Sequence, residues 1–197
     1  MKKLILAAAL PLALAACKKS ENTSTTTDSA DSTAMVTTAD STATMPADSA
    51  NAATAAPDAE MAKKFVEGSL MEVKLGNLAK DKATNAKVKE FANMMVTDHA
   101  KTRDKLKAMA SKKGWVVPAD LSAEKQMKYD ELAAKSGAEF DKAYANFMVE
   151  DHKKDIDEHT KAANNAVDAD LKAYASKTVP TLQHHLKMAQ EAAAAVK

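Results

Sequence analysis

The sequence predicts an all-α protein, a four-helix bundle with one short additional helix, preceded by a disordered linker. Three observations carry this prediction. Alanine, lysine, glutamate, leucine and methionine dominate the folded part, with only 4 glycines and 5 prolines in 197 residues, a composition rich in helix formers. Apolar residues recur at steps of three and four, the period of a helix with one buried face. A nine-residue phrase also occurs twice: Phe91-Ala92-Asn93-Met94-Met95-Val96-Thr97-Asp98-His99 returns as Tyr144-Ala145-Asn146-Phe147-Met148-Val149-Glu150-Asp151-His152, identical at six positions. An internal repeat of this kind points to a bundle built by duplication, with an Asp-His pair at matching heights on two helices.

Residues 1–17 read as a targeting segment. Lys2 and Lys3 form a basic start, and the apolar run from Leu4 to Leu14 is too short for a stable membrane span. The run ends in Leu14-Ala15-Ala16-Cys17, which resembles the bacterial lipobox, whose cysteine is acylated, palmitate included, and becomes the new N-terminus. Cys17 is the only cysteine, so no disulfide framework exists, and its place after a leader marks it for lipidation. Lys18 follows, with no aspartate there to hold the protein at the inner membrane. The expectation is a lipoprotein of the bacterial envelope, anchored at the outer membrane through its lipid. Residues 18–57 form a Ser/Thr/Asp/Ala-rich tether that buries too little apolar surface to fold. As a random coil it would span roughly 35 Å. Asp-Ser-small recurs in it at Ser29, Ser32, Ser41 and Ser49, either as O-glycosylation sequons of the kind one bacterial group uses or as compositional bias.

Residues 58–197 are one domain by length. The first helix is expected over residues 58–80, after Pro57. The second starts at Thr84-Asn85, which are capping residues, and stops at Gly114 after Lys112 and Lys113. Residues 115–118 cross over, and Ser122 opens a short helix to about Lys135. Ser136-Gly137-Ala138-Glu139 has capping-box spacing and starts the third long helix, which breaks near Asn164-Asn165. Asp168 caps the last, ending near Val196, with Pro180 inside it and expected to kink it.

The apolar stripes say what is buried. Val88, Phe91, Ala92, Met95, His99, Thr102, Leu106 and Met109 share one face of the second helix. Phe140, Tyr144, Phe147, Met148, His152, Ile156 and His159 share one face of the third, and Leu171, Tyr174, Leu182, His185 and Leu186 one face of the last. Glu72 aligns with Phe65 and Leu75 on the first. One carboxylate and three or four histidines thus point inward, where polar groups must find partners.

The chain here resembles the DUF4142 family of exported bacterial proteins of unknown function. The phrases that carry the resemblance are Leu70-Met71-Glu72-Val73-Lys74-Leu75-Gly76-Asn77-Leu78-Ala79, the segment ending in Asp98-His99, Ser136-Gly137-Ala138-Glu139-Phe140-Asp141-Lys142-Ala143-Tyr144 with His152, and Val179-Pro180-Thr181-Leu182-Gln183-His184-His185-Leu186. The resemblance spans residues 61–194. It implies a ferritin-like four-helix fold and export, and no established activity. It places the family's acidic residue on Glu72, its Asp-His on Asp98-His99, and its later histidines on His152 and His185; His159 and His184 match less well.

Two readings of this layer stay open. In one, Glu72, His99, His152 and His185 hold a single transition metal ion, since imidazole and carboxylate from facing helices suit zinc, copper, iron or nickel. Asp98 and Asp151 point about 100° away from the histidine that follows each and would orient histidines of adjacent helices. In the other, the layer is polar packing in a structural or stress-related envelope protein. Convergence of the four side chains at one level would favour the first. Ferritin-like di-iron centres use Glu-x-x-His on two helices. Here Val96, Val149 and Leu182 stand three residues before the histidines, which argues against oxygen-activating iron. Met94, Met95, Met148 and Met188 read as core filler rather than copper ligands.

Composition excludes other classes. A net charge of +1 with no basic stripe argues against nucleic acid as a partner. No Gly-x-Ser-x-Gly turn or glycine-rich phosphate loop occurs, and the one cysteine is assigned to lipid. The expectation is a membrane-tethered binding module rather than an enzyme, with protein partners unspecified.

Overall fold

The computed structural model describes residues 48–197, with side chains from residue 57 onward. The leader, Cys17 and the serines Ser29, Ser32 and Ser41 lie outside the described residues. Ser49 lies in the first turn of the first helix. The described residues form five helices and no strand: α1 (Asp48–Lys82), α2 (Ala86–Lys113), α3 (Ala123–Ala133), α4 (Gly137–Asn165) and α5 (Ala169–Ala194). None is long and apolar enough to cross a membrane.

The starts and stops follow local chemistry, with two departures. Asn85 caps α2 by accepting from the Lys87 and Val88 amides, and Gly114 ends it in the left-handed conformation at φ 69°, where glycine is unstrained. Ser122 and Asp168 cap α3 and α5 with their side chains. The first departure is that α1 begins at Asp48 rather than Asp58 and passes through Pro57. The alanine-rich run before the proline has the highest helix propensity available, and a proline removes only one backbone donor. Residues 48–57 are therefore helical. The second is that the capping box does not form: Ser136 makes no side-chain capping hydrogen bond, and Glu139 pairs with Lys135 at 2.6 Å. The last helix, α5, ends at Ala194 with Pro180 inside it.

Neighbouring long helices run antiparallel. Glu72 meets His99 and Gly76 meets Val96 across α1 and α2, while His152 meets His185 and His159 meets Tyr174 across α4 and α5. The hairpins then join through α2 against α5 and α1 against α4. Around the bundle the order is α1, α2, α5, α4, so α2 and α4 are diagonal and parallel. Two parallel helices need a connection that returns along the bundle, and α3 with its flanking loops supplies it. Glu67 fixes the start of α3 by accepting the Ser122 amide at 2.7 Å.

Two apolar clusters fill the interior. One, around Leu75, Phe91, Met95, Phe140, Tyr144 and Met148, packs toward the α1–α2 turn. The other, around Phe65, Val66, Leu106 and Leu171, packs toward the opposite end. Between them lies a polar layer.

Candidate metal centre

Each long helix contributes one residue to this layer: Glu72 from α1, His99 from α2, His152 from α4 and His185 from α5. Their exposures are 0%, 4%, 0% and 1%. The three imidazoles form a nearly equilateral triangle, with ring centroids 5.6 Å (His99–His152), 5.1 Å (His99–His185) and 5.6 Å (His152–His185) apart. One nitrogen from each lies within 4.8 Å of the other two.

The hydrogen-bond partners decide which nitrogens are free. His152 Nδ1 lies 2.9 Å from the Met148 carbonyl. A carbonyl only accepts, so Nδ1 carries the proton and Nε2 a lone pair. His185 Nε2 lies 3.2 Å from Asp98 Oδ2 and donates to it, which leaves the lone pair on Nδ1, 3.1 Å from His99 Nε2. His99 Nδ1 lies 2.5 Å from Glu72 Oε2, yet so poorly aligned that neither atom has a hydrogen bond. Glu72 Oε1 lies 3.4 Å from His152 Nε2, also without one.

Two carboxylate oxygens and two imidazole nitrogens are thus buried and unsatisfied in one place, where each such group costs about 1–3 kcal/mol. A cation at the centre would satisfy His152 Nε2 and one Glu72 oxygen, while the other oxygen stays against His99 Nδ1. In a tetrahedral zinc site, ligand atoms stand about 3.3 Å apart, close to the 3.1 and 3.4 Å separations here. Each histidine has an acceptor beside its second nitrogen (Met148 O, Asp98, Glu72), the arrangement that fixes tautomer and orientation in histidine metal sites. With His99 binding through Nε2, Glu72 would face its Nδ1–H or swing onto the ion as a fourth ligand.

The electrostatics agree with this donor set. Burial pushes His99 down to about 4, and burial with the neighbouring imidazoles pushes His152 down to about 3 and His185 to about 4. All three are neutral at pH 7, as ligands must be. Burial, and then the charge of Asp151, raises Glu72 well above the usual carboxylate range.

The remaining candidates divide. Asp98 reaches across to His185 on the adjacent helix. Asp151 instead groups with Glu72 and with Asp155, one turn further along α4, their oxygens within 4.8 Å of one another. Asp155 was missed by sequence reasoning; its only signal is four-residue spacing from Asp151. His159 lies apart from the triangle, stacked on Phe65 with centroids 3.8 Å apart, its Nδ1 donating to the Asp155 carbonyl. His184 is exposed. Beside the layer, α1, α3 and α4 enclose a cleft of about 580 Å³, with Gly68, Lys125, Asp151 and Asp155 in its walls.

Similarity to known proteins supports the fold. A crystal structure of a DUF305 fragment from Deinococcus radiodurans superposes with a TM-score of 0.61 at 10% identity, covering 69% of this chain and 94% of that one. At that identity the likeness is one of helical architecture. No curated protein matches. Residues 43–192 match the family described as a domain of unknown function, DUF4142, and the chain belongs to that family.

Proposed function

We propose that the domain binds one transition metal ion of the zinc, copper, iron or nickel class through His99, His152 and His185, with Glu72 completing or orienting the set. The observation that carries this is the tautomer arrangement. Nδ1 of His152 and Nε2 of His185 are each committed to an acceptor, Glu72 stands beside Nδ1 of His99, and one nitrogen of each histidine faces the other two in a buried layer, where only His99 and His185 bond each other.

The leader and Cys17 support placing this module on the envelope, lipid-anchored and held off the membrane by the segment before α1. Labelled palmitate incorporated by the wild type and lost in Cys17→Ala would establish the anchor, and equal labelling of both would remove it.

The metal itself is tested by mass spectrometric analysis of the full chain, purified without a polyhistidine tag, beside the His99→Ala/His152→Ala double variant. A stoichiometric metal in the wild type that disappears from the variant is the expected result. A metal-free wild type that gains no thermal stability from added zinc, copper, iron or nickel would leave a packing layer instead.

A further inference from the structure

We propose that Glu72, Asp151 and Asp155 form a second cation site beside the histidine triangle, for an oxygen-preferring divalent ion such as Mn²⁺, with Glu72 shared between the two ions. This builds on the histidine-site reading only in the shared residue. One oxygen from each of the three carboxylates lies within 4.8 Å of the others, a spread that an ion with metal–oxygen bonds of about 2.1–2.5 Å spans after a small closure.

The groups are aimed at something absent from their hydrogen-bonding partners. Glu72 is fully buried with both oxygens unpartnered, and Asp151 Oδ2 is also buried without a partner. Two ammonium groups stand nearby. Lys125, in the cleft wall, has a charge that acts on all three carboxyls, and Lys154 turns to Glu158 at 3.9 Å; the ion pairs of Glu72 itself are to histidines alone. Three carboxylates at close range repel strongly in a low-dielectric interior, so an arrangement that brings them together is suited to a positive ion.

Donor type selects the ion. All-oxygen ligands favour manganese, magnesium or calcium over the borderline ions that imidazole prefers. The cleft supplies both entry and the missing coordination positions, since Asp151 and Asp155 stand in its wall. Gly68 keeps that wall open: a Cβ there would sit 3.9 and 4.0 Å from the Asp155 oxygens, and any longer side chain would occupy the space. A carboxylate bridging two ions holds them about 3.5–4 Å apart, which fits Glu72 standing against both His99 and the aspartates.

The test is equilibrium dialysis of the purified full chain against zinc and excess Mn²⁺, read as metal per chain. Wild type is compared with Asp151→Asn/Asp155→Asn, His99→Ala/His152→Ala and Glu72→Gln, each checked by circular dichroism for its helices. The expected result is one zinc and one manganese per wild-type chain, loss of manganese alone in the aspartate variant, and weaker binding of both ions in Glu72→Gln. A wild type that takes up zinc and no manganese, or an aspartate variant that keeps its manganese, overturns the second site while the histidine site stands. Manganese that depends on the aspartates in a protein that takes up no zinc supports the second site and sinks the histidine one. Glu72→Gln weakening only one ion removes the bridge.

Discussion

Replacing Glu72 by methionine should make the metal-free protein more stable, although it removes a buried charged residue. Methionine has similar length and adapts to irregular cores, so the substitution opens no large cavity. What it removes is a carboxyl group at 0% exposure with neither oxygen hydrogen-bonded. An unsatisfied buried polar group costs about 1–3 kcal/mol, and in a domain of this size that is a rise in Tm of roughly 2–12 °C. His99 Nδ1 and His152 Nε2 are unpaired with the carboxylate in place, so its removal adds no new orphan. The gain also has a pH signature. Burial and Asp151 raise the folded pKa of Glu72, so below the unfolded value near 4.5 both states are protonated and ionisation contributes nothing. As pH rises above that value the unfolded state releases its proton first and wild type loses stability. The advantage of the variant must therefore grow from pH 4.5 upward until the folded group also ionises. Added zinc should reverse the ranking, since an ion at 100 times its Kd stabilises the wild type by about 2.7 kcal/mol and a defective site gains less. Thermal unfolding with chelator and then with zinc measures both halves. A metal-free Glu72→Met protein that melts several degrees below wild type would show the carboxylate holding helices together, and the metal argument would fail.

Four further substitutions probe the frame around the site. Burial holds His159 down to about 4 against about 6.5 unfolded, so its contribution is intact above pH 6.5 and is lost as pH falls toward 4. His159→Phe, which keeps the stack on Phe65, should therefore escape about 2 kcal/mol of the wild type's loss between pH 7 and pH 5, and equal losses in urea titrations would contradict the shift. Gly76→Ala puts a Cβ 2.8 Å from Val96 Cγ2 and 3.1 Å from the Ala92 carbonyl. It should cost about 1–2 kcal/mol despite alanine's better helix propensity, whereas Gly68→Ala, with nothing nearer than 3.9 Å, should cost nothing; matching denaturation midpoints for the two would refute the close approach of α1 to α2. Asp141→Ala removes a buried carboxylate that accepts from the Thr84 and Asn85 amides at 3.0 and 2.9 Å. A loss of about 2–4 kcal/mol is expected, measured by the same unfolding curves, and a neutral result would mean the α1–α2 turn holds itself.

What was legible in the sequence is what local periodicity and capping encode. Asn85, Gly114, Ser122 and Asp168 mark helix ends where the structure has them, and three- and four-residue steps bring Glu72, His99, His152 and His185 inward. The illegible parts depend on contacts between distant segments. Asp58 is buried because it accepts the Val167 and Asp168 amides at 3.3 and 2.6 Å, and Asp141 because it meets a turn on α1. Nothing beside either residue signals those partners. Asp155 reads as one more polar residue on α4, and only the approach of Glu72 from another helix makes it part of a cluster. The start of α1 was misplaced for a different reason: Pro57 was weighed as a break, while the alanines ahead of it favour helix strongly enough to continue through it.

The duplicated phrase explains why two aspartates in identical local settings have different neighbours. With the helices ordered α1, α2, α5, α4, a half-turn about the bundle axis exchanges α2 with α4 and α1 with α5. It carries His99 onto His152 and Glu72 onto His185. Each aspartate precedes an inward histidine, so each is rotated about 100° to the same side of its helix and faces the next helix round. For Asp98 that helix is α5, and the residue at this level is His185, whose Nε2–H it accepts at 3.2 Å. For Asp151 the next helix is α1, and the residue is Glu72, an acid, within 4.8 Å. Position obeys the symmetry while chemistry breaks it, because one inward residue in four is a carboxylate. On the α5 side the result is an oriented imidazole. On the α1 side, with Asp155 added, it is a cluster of three carboxyl groups beside the cleft under α3. A layer that served only to pack would be better satisfied by a fourth histidine opposite Asp151; a carboxylate there makes sense when a cation supplies the missing partner.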